Sequence, residues 1–256
     1  MAKGSVNALT YLNEDILYLK NRTIQEYDII EGGYSVARNL NLLPAKFLKR
    51  IEGMTKHERH VEIGKYSKDN KEFTKELFEG FREFMLLFRE YNDIDDDRIL
   101  SVKKDSITLY NSPIKRLKFK HVVFSLRETS TSYMLLGKKE FFFNSKTDGF
   151  FFKGLNDWVE AKDNLIEEIK ILMGFNEYKD KKFIFQYLQE LRECYVKLEL
   201  AHTYYRELNA IGDYRLKDRV GSNDVYFEYI NDDQLEMLDI SHNYENYLLP
   251  LIRIMV

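Results

Sequence analysis

Residues 98–153 constrain this chain more than any other stretch. They hold short runs rich in β-branched and aromatic residues, separated by turn residues at close spacing. The runs I-L-S-V and S-I-T-L-Y read as the two arms of a hairpin closed around Lys103, Lys104 and Asp105. Pro113 separates that hairpin from L-K-F-K-H-V-V-F-S-L-R, and Thr129–Thr131 reads as another turn. S-Y-M-L-L and K-E-F-F-F-N, divided by Gly137, form the next pair of arms, and G-F-F-F-K adds a strand after Asp148-Gly149. Such a series without intervening helices predicts an antiparallel meander rather than a βαβ succession.

Helical patterns flank the meander. After a strand expected at about 23–30, the Gly32-Gly33 pair marks a turn that opens a short helix. Pro44 suits the first turn of a second helix, where its missing N–H costs little. Thr55 and Glu58 have the spacing of a capping box. Between 70 and 91, Phe73, Leu77, Phe81, Phe84, Leu87 and Phe88 fall on one helical stripe, which Asn92 and the acidic run after it terminate. Farther on, Trp158 to Met173 and Lys182 to Asn209 read as helices. The second carries Phe185, Leu188, Leu191, Tyr195, Leu198 and His202 on one face. V-Y-F-E-Y-I is a strand candidate, and Asn243–Met255 reads as a buried C-terminal helix. The fold expected is therefore α+β, an antiparallel sheet with packed helices and a helical C-terminal region. The sheet-bearing part spans residues 1–155 and the mainly helical part 156–256.

Composition removes several classes of function. A chain of 256 residues buries a core without metals or disulfides. Its single cysteine, Cys194, excludes an internal disulfide framework and a cysteine-rich zinc site. Charged residues make up 32%, no run approaches the length of a membrane span, and the N-terminus lacks the apolar run of a signal peptide. A cytoplasmic protein with no membrane association is the expectation. A net charge of −3 argues against a strongly basic nucleic-acid binder, but a local basic groove depends on distribution, not on the total.

Asp28 follows the short strand run Thr23–Tyr27, and Asp105 sits in the hairpin turn after the helices. Carboxylates on adjacent strand ends suit a pair of Mg²⁺ ions, which keep waters and take their remaining oxygens from phosphate. Asp28 and Asp105 are thus the candidate catalytic and metal-holding residues; Asp28 as an Asx-turn and Asp105 as a plain turn residue are the structural alternative. Glu26 shares a strand face with Asp28, and Glu31 lies beyond the turn. Arg59, Lys65 and Lys68 lie between the aspartates and are candidates for holding nucleotide phosphate. Lys103 and Lys104 flank Asp105. Lys118 and Lys120 share one side of an extended strand, with Phe119 on the other, and all four lysines are candidates for a nucleic-acid backbone.

Other patterns carry less. His57 and His60 are one residue short of the zinc-protease spacing. Gly32-Gly33 is followed by neither a phosphate-binding G-K-S/T nor a dinucleotide-binding spacing. Asp95-Asp96-Asp97 reads as a solvated loop. Most Phe and Tyr residues follow strand or helix periodicity, as core residues do, including Phe141, Phe142 and Phe143.

The chain resembles a group of proteins encoded by bacteriophages of low-GC and gut bacteria. The resemblance rests on Y-D-I at 27–29, I-L-S-V-K-K-D at 99–105, Y-Y-R-E-L-N at 204–209 and the terminal D-I-S-H-N-Y-E-N-Y-L-L-P-L-I. More distantly, Asp28 and Asp105 look like the two aspartates of a palm-type polymerase, with 59–68 in the place of its nucleotide-facing helix. Where that family's metal turn carries a second acid, this chain has Lys104-Asp105-Ser106. The resemblance implies a palm-like sheet and a Mg²⁺-dependent nucleotidyltransferase acting on nucleic acid, in degenerate or accessory form. The alternative is a non-enzymatic phage protein that binds a host protein, a replication protein or nucleic acid, or that serves in virion assembly.

Overall fold

In a computed structural model of the chain, the structure describes residues 6–136, 138–154, 162–174, 181–197, 199–200 and 204, with four short strands between 210 and 226. The expected C-terminal helix at 243–255, Trp158 and residues 205–209 lie outside the described residues. The fold is α+β, and the chain divides into two compact units. One comprises Met1–Ser132 with Asn144–Gly149; the other comprises Tyr133–Phe143 with Phe150–Val256.

The first unit is built on an antiparallel sheet. Its strands are β1 (Thr10–Leu12), β2 (Tyr18–Ile29), β3 (Ile99–Lys103), β4 (Ser106–Tyr110), β5 (Lys118–Phe119) and the first part of β6 (Val122–Leu136). They lie in the order β1-β3-β4-β2-β6, with β5 paired to β6. The β3–β4 hairpin forms where the alternation of residues 99–110 placed it, with Lys103 opposite Ser106. Long strand β2 returns beside β4 with Ile24 opposite Tyr110 and Asp28 opposite Ser106. Thr129–Thr131 is not a turn but the interior of β6, and Ser130 there is buried. Threonine's branched side chain suits a pleated strand, and this preference outweighs the polar character that suggested a turn.

Four helices join β2 to β3: α1 (Gly32–Asn39), α2 (Ala45–Glu52), α3 (Lys56–Asp69) and α4 (Lys71–Tyr91). Pro44 stands one residue before α2, and its carbonyl accepts from Leu48 N–H at 2.9 Å. Thr55 and Glu58 close the capping box. Asn70 caps α4 by accepting from Phe73 N–H at 3.0 Å. The α4 stripe supplies the core through Phe73, Leu77, Phe81, Phe84 and Phe88, with Met85 buried and Leu87 only partly so. Phe88 stacks on Phe124 at 4.2 Å between centroids and meets Tyr27 at 5.6 Å, so one ring ties α4 to β2 and β6.

Helix α1 crosses α4 at Gly80. A Cβ at that position would lie 2.5 Å from Leu40 Cδ1 and 2.6 Å from Val36 Cγ1. Glycine here permits the approach that seats α1, and with it the turn after Asp28.

In the second unit, the end of β6 continues into β7 (Lys139–Asn144) and β8 (Gly149–Lys153), the meander expected around Gly137. Phe141 and Phe142 are buried, and Phe142 stacks on Phe151 at 4.4 Å and 5°. Two helices follow, α5 (Lys162–Gly174) and α6 (Lys181–Val196). Tyr187 of α6 and Tyr204 both donate their hydroxyls to the buried Glu168 of α5. Leu188, Leu191 and Tyr195 are buried as their spacing predicted, whereas Phe185 is exposed. Helix α6 ends at Val196, well short of Asn209. Glu199 N–H reaches back five residues to Cys194 C=O at 2.9 Å, a wide turn that closes a helix.

Gly80→Ala is expected to lower stability by about 1–2 kcal/mol, because overpacking exceeds the helix-propensity gain. Gly64→Ala on α3, where a Cβ meets nothing within 4 Å, is expected to raise stability by about 0.5–1 kcal/mol. Urea unfolding of the two variants against wild type measures both signs.

Candidate active site

The antiparallel register places Asp28 and Asp105 at the same end of two neighbouring strands. Asp28 is opposite Ser106, and the next residue, Ile29, donates its N–H to Asp105 C=O at 2.9 Å. Asp105 follows Lys104, whose φ of 52° makes the tight turn between β3 and β4. Behind Asp105 lies Gly32, the first residue of α1. A Cβ there would fall 2.9 Å from Asp105 Oδ2 and 3.0 Å from Phe81 Cε1. Only a bare backbone fits between the carboxylate and the α4 ring.

Asp28 is held well above the usual carboxylate range, at about 6. Burial is the main cause, and the charge of Asp105 is the next. Arg127 opposes them, with its Nη1 3.9 Å from Asp28 Oδ2; Glu26 raises the value again, and Lys56 lowers it. Glu26 lies two residues back on β2, opposite Thr108, and is buried. The arrangement is a concentration of negative charge that Arg127 and Lys56 only partly offset.

Asp28 is followed by a sharp bend at Glu31, which has a φ of 48°. Glu31 carries an ion pair rather than a free carboxylate. Arg59 of α3 grips it with Nε at 2.9 Å and Nη2 at 2.7 Å, also bonds Met54 C=O, and lies 5.1 Å over the Tyr34 ring. The hydrogen bonds from the guanidinium hold the Glu31 carboxyl below the usual carboxylate pKa. This clamp fixes α3 beside the end of β2 and brings Lys56 into the field of Asp28. Between α1 and α3 opens a cleft of about 450 Å³, lined by Tyr34, Lys56, His57, Arg59, His60 and Ile63.

The expected cations are distributed otherwise than their spacing suggested. Lys65 pairs with Glu62 along α3 at 3.0 Å, and Lys68 is exposed in the last turn of that helix. Lys103 is half-buried at the end of β3; Lys104 is exposed, 5.5 Å over the Phe78 ring. Lys118 is exposed and Phe119 buried, as alternation requires, but Lys120 has a φ of 54° and lies in a turn, so the extended segment ends at Phe119. Lys56 and Arg127, which face Asp28, carried no signal in the sequence. Each is brought there by packing of an element distant along the chain. Among the described residues, no group of three or more His, Cys, Asp or Glu side chains is arranged to hold a metal ion.

The family model described as Bacteriophage PBS1 gene 130 protein matches residues 1–256. The chain belongs to this phage protein family. No curated protein matches it. Among solved structures it is similar to the family B DNA polymerase from the hyperthermophilic archaeon Pyrobaculum calidifontis. The TM-score is 0.49 at 10% identity, and the match covers 93% of this chain and 45% of that one. The chain thus spans less than half the length of that polymerase. No helix among the described residues is long and apolar enough to cross a membrane.

The raised pKa of Asp28 makes stability depend on pH. A carboxyl that binds its proton more tightly when folded stabilises the fold most at low pH and loses that contribution as pH rises through about 6. Asp28→Asn is therefore expected to raise stability by about 1–2 kcal/mol near pH 8, after allowance for solvent screening, and to have little effect near pH 4. Thermal unfolding across that range measures the difference.

Proposed function

We propose that this phage protein is a Mg²⁺-dependent, palm-type nucleotidyltransferase, in degenerate or accessory form. The reading rests on one observation: Asp28 and Asp105 stand at the ends of adjacent strands, where burial and mutual repulsion leave negative charge without full compensation. A divalent cation is what such a pair would hold. Two carboxylates suffice for Mg²⁺ when waters and phosphate oxygens complete its shell. The bound metal would polarise phosphate and stabilise charge on the attacking and leaving oxygens.

The chain's own residues supply the surroundings. Asp28 and Asp105 would hold the ion, and Arg127 would balance the charge of Asp28. The cleft between α1 and α3 would receive the phosphates of a nucleotide, with Lys56, His57 and His60 on its wall. Arg59 would set the position of α3 through Glu31 and share in phosphate binding. Lys65 and Lys68 would contribute only to the general field of α3. Lys103 and Lys104, on the turn that carries Asp105, would lie against the backbone of a nucleic-acid substrate.

Calorimetric titration with Mn²⁺ tests the reading. Binding to wild type is expected at about neutral pH, weakening as pH falls through about 6 because Asp28 must release its proton. Asp28→Asn and Asp105→Asn should each abolish it with folding intact. Binding that survives in both variants would remove the carboxylate pair from consideration.

A further inference from the structure

The segment after β4 forms a second basic surface, separate from the carboxylates. Lys115, Arg116, Lys118 and Lys120 fall within six residues. Lys115 is paired with Asp93, which leaves three cations. Arg116, Lys118 and Lys120 are exposed, and none has a carboxylate partner among the described residues. Leu117, between them, is 39% exposed.

Two features distinguish this ridge from an ordinary solvated face. The first is a buried clamp. Asn92 accepts from the backbone N–H groups of Lys115 and Arg116, each at 2.7 Å, and donates to Arg116 C=O at 2.9 Å and to Phe88 C=O at 2.7 Å. All of its amide capacity holds this segment against the end of α4, so the ridge is ordered before any partner arrives. The second is an aromatic platform. Tyr91, the last residue of α4, is 52% exposed, and the Arg116 guanidinium lies 4.5 Å over its ring. Arg116 Nε also donates to Lys118 C=O at 3.0 Å, which fixes the guanidinium plane. The half-exposed ring, the guanidinium fixed over it and two free lysines alongside offer a stacking edge and charge together.

We infer that the ridge of Tyr91, Arg116, Leu117, Lys118 and Lys120 binds single-stranded nucleic acid. The cations take phosphates, and Tyr91 with Leu117 takes the face of an unstacked base. A duplex keeps its bases inside, and an acidic peptide has carboxylates but no base to stack, so neither uses the platform. The surface stands independently of the carboxylate pair and requires no transfer reaction.

Fluorescence anisotropy of a labelled single-stranded oligothymidylate, titrated with the full chain at several salt concentrations, tests this. The triple variant Arg116→Gln, Lys118→Gln, Lys120→Asn removes three phosphate contacts. It should reduce the slope of log affinity against log salt by about 2. Tyr91→Ala should weaken binding roughly fivefold or more with the slope unchanged. Lys49→Gln, which removes an exposed cation of α2 outside both the ridge and the proposed active site, should retain wild-type affinity and slope, which ties the effect to the ridge. Thermal unfolding confirms that each variant is folded. The inference is overturned if the oligonucleotide does not bind, if the triple variant keeps the wild-type slope, if Tyr91→Ala binds as wild type, or if polyglutamate or duplex competes as well as the single strand.

Discussion

The pairing of β2 with β4 is the constraint from which the rest of the first unit follows. These strands are separated in sequence by four helices, so their closure costs considerable chain entropy before any contact is gained. The return comes from the faces of the sheet. Ile24, Tyr27 and Ile29 on β2, with Ile107 and Leu109 on β4, are buried, and α4 covers them with a line of phenylalanines. The same register carries Asp28 and Asp105 to one end. The fold places like charges together and accepts the repulsion because the surrounding hydrophobic contacts outweigh it. The cost appears at Asp28, whose carboxyl is pushed up to about 6 by burial and by the charge of Asp105.

The helices then act as supports. Gly80 lets α1 approach α4, and Gly32 lets Asp105 lie against the start of α1. The Arg59–Glu31 pair fastens α3 to the bend after β2. It is a two-point, partly buried contact, and it has a consequence beyond itself, since it sets where Lys56 and the cleft stand relative to Asp28. At the far end of α4, Asn92 does the equivalent with hydrogen bonds, tying the basic segment to the helix terminus. One helix thereby connects the core beneath the carboxylates to the aromatic edge of the basic ridge.

Local signals were read where they were self-contained. The Thr55–Glu58 capping box, the α4 stripe, the β3–β4 hairpin and the separation of β6 from β7 each depend on residues close in sequence, and each formed. Thr129–Thr131 and the end of α6 depend instead on context: a neighbouring strand in one case, a helix-closing backbone bond in the other. Phe185 shows the same limit. Its spacing matches a buried stripe, yet it lies outside the packed face, because periodicity fixes relative angle and not which arc meets a partner.

By itself, the sequence determined the antiparallel α+β class, the helices between β2 and β3, the β3–β4 hairpin and the positions of the two aspartates at strand ends. These follow from periodicity, turn chemistry and caps, all short-range effects. Tertiary structure decided which charges meet. It assigned Arg59 to Glu31, brought Lys56 and Arg127 toward Asp28, and turned Asn92 from a helix end into a clamp. Electrostatic partners depend on distances of a few ångströms between residues up to about a hundred positions apart. No local pattern encodes those distances until the strands have paired and the helices have packed.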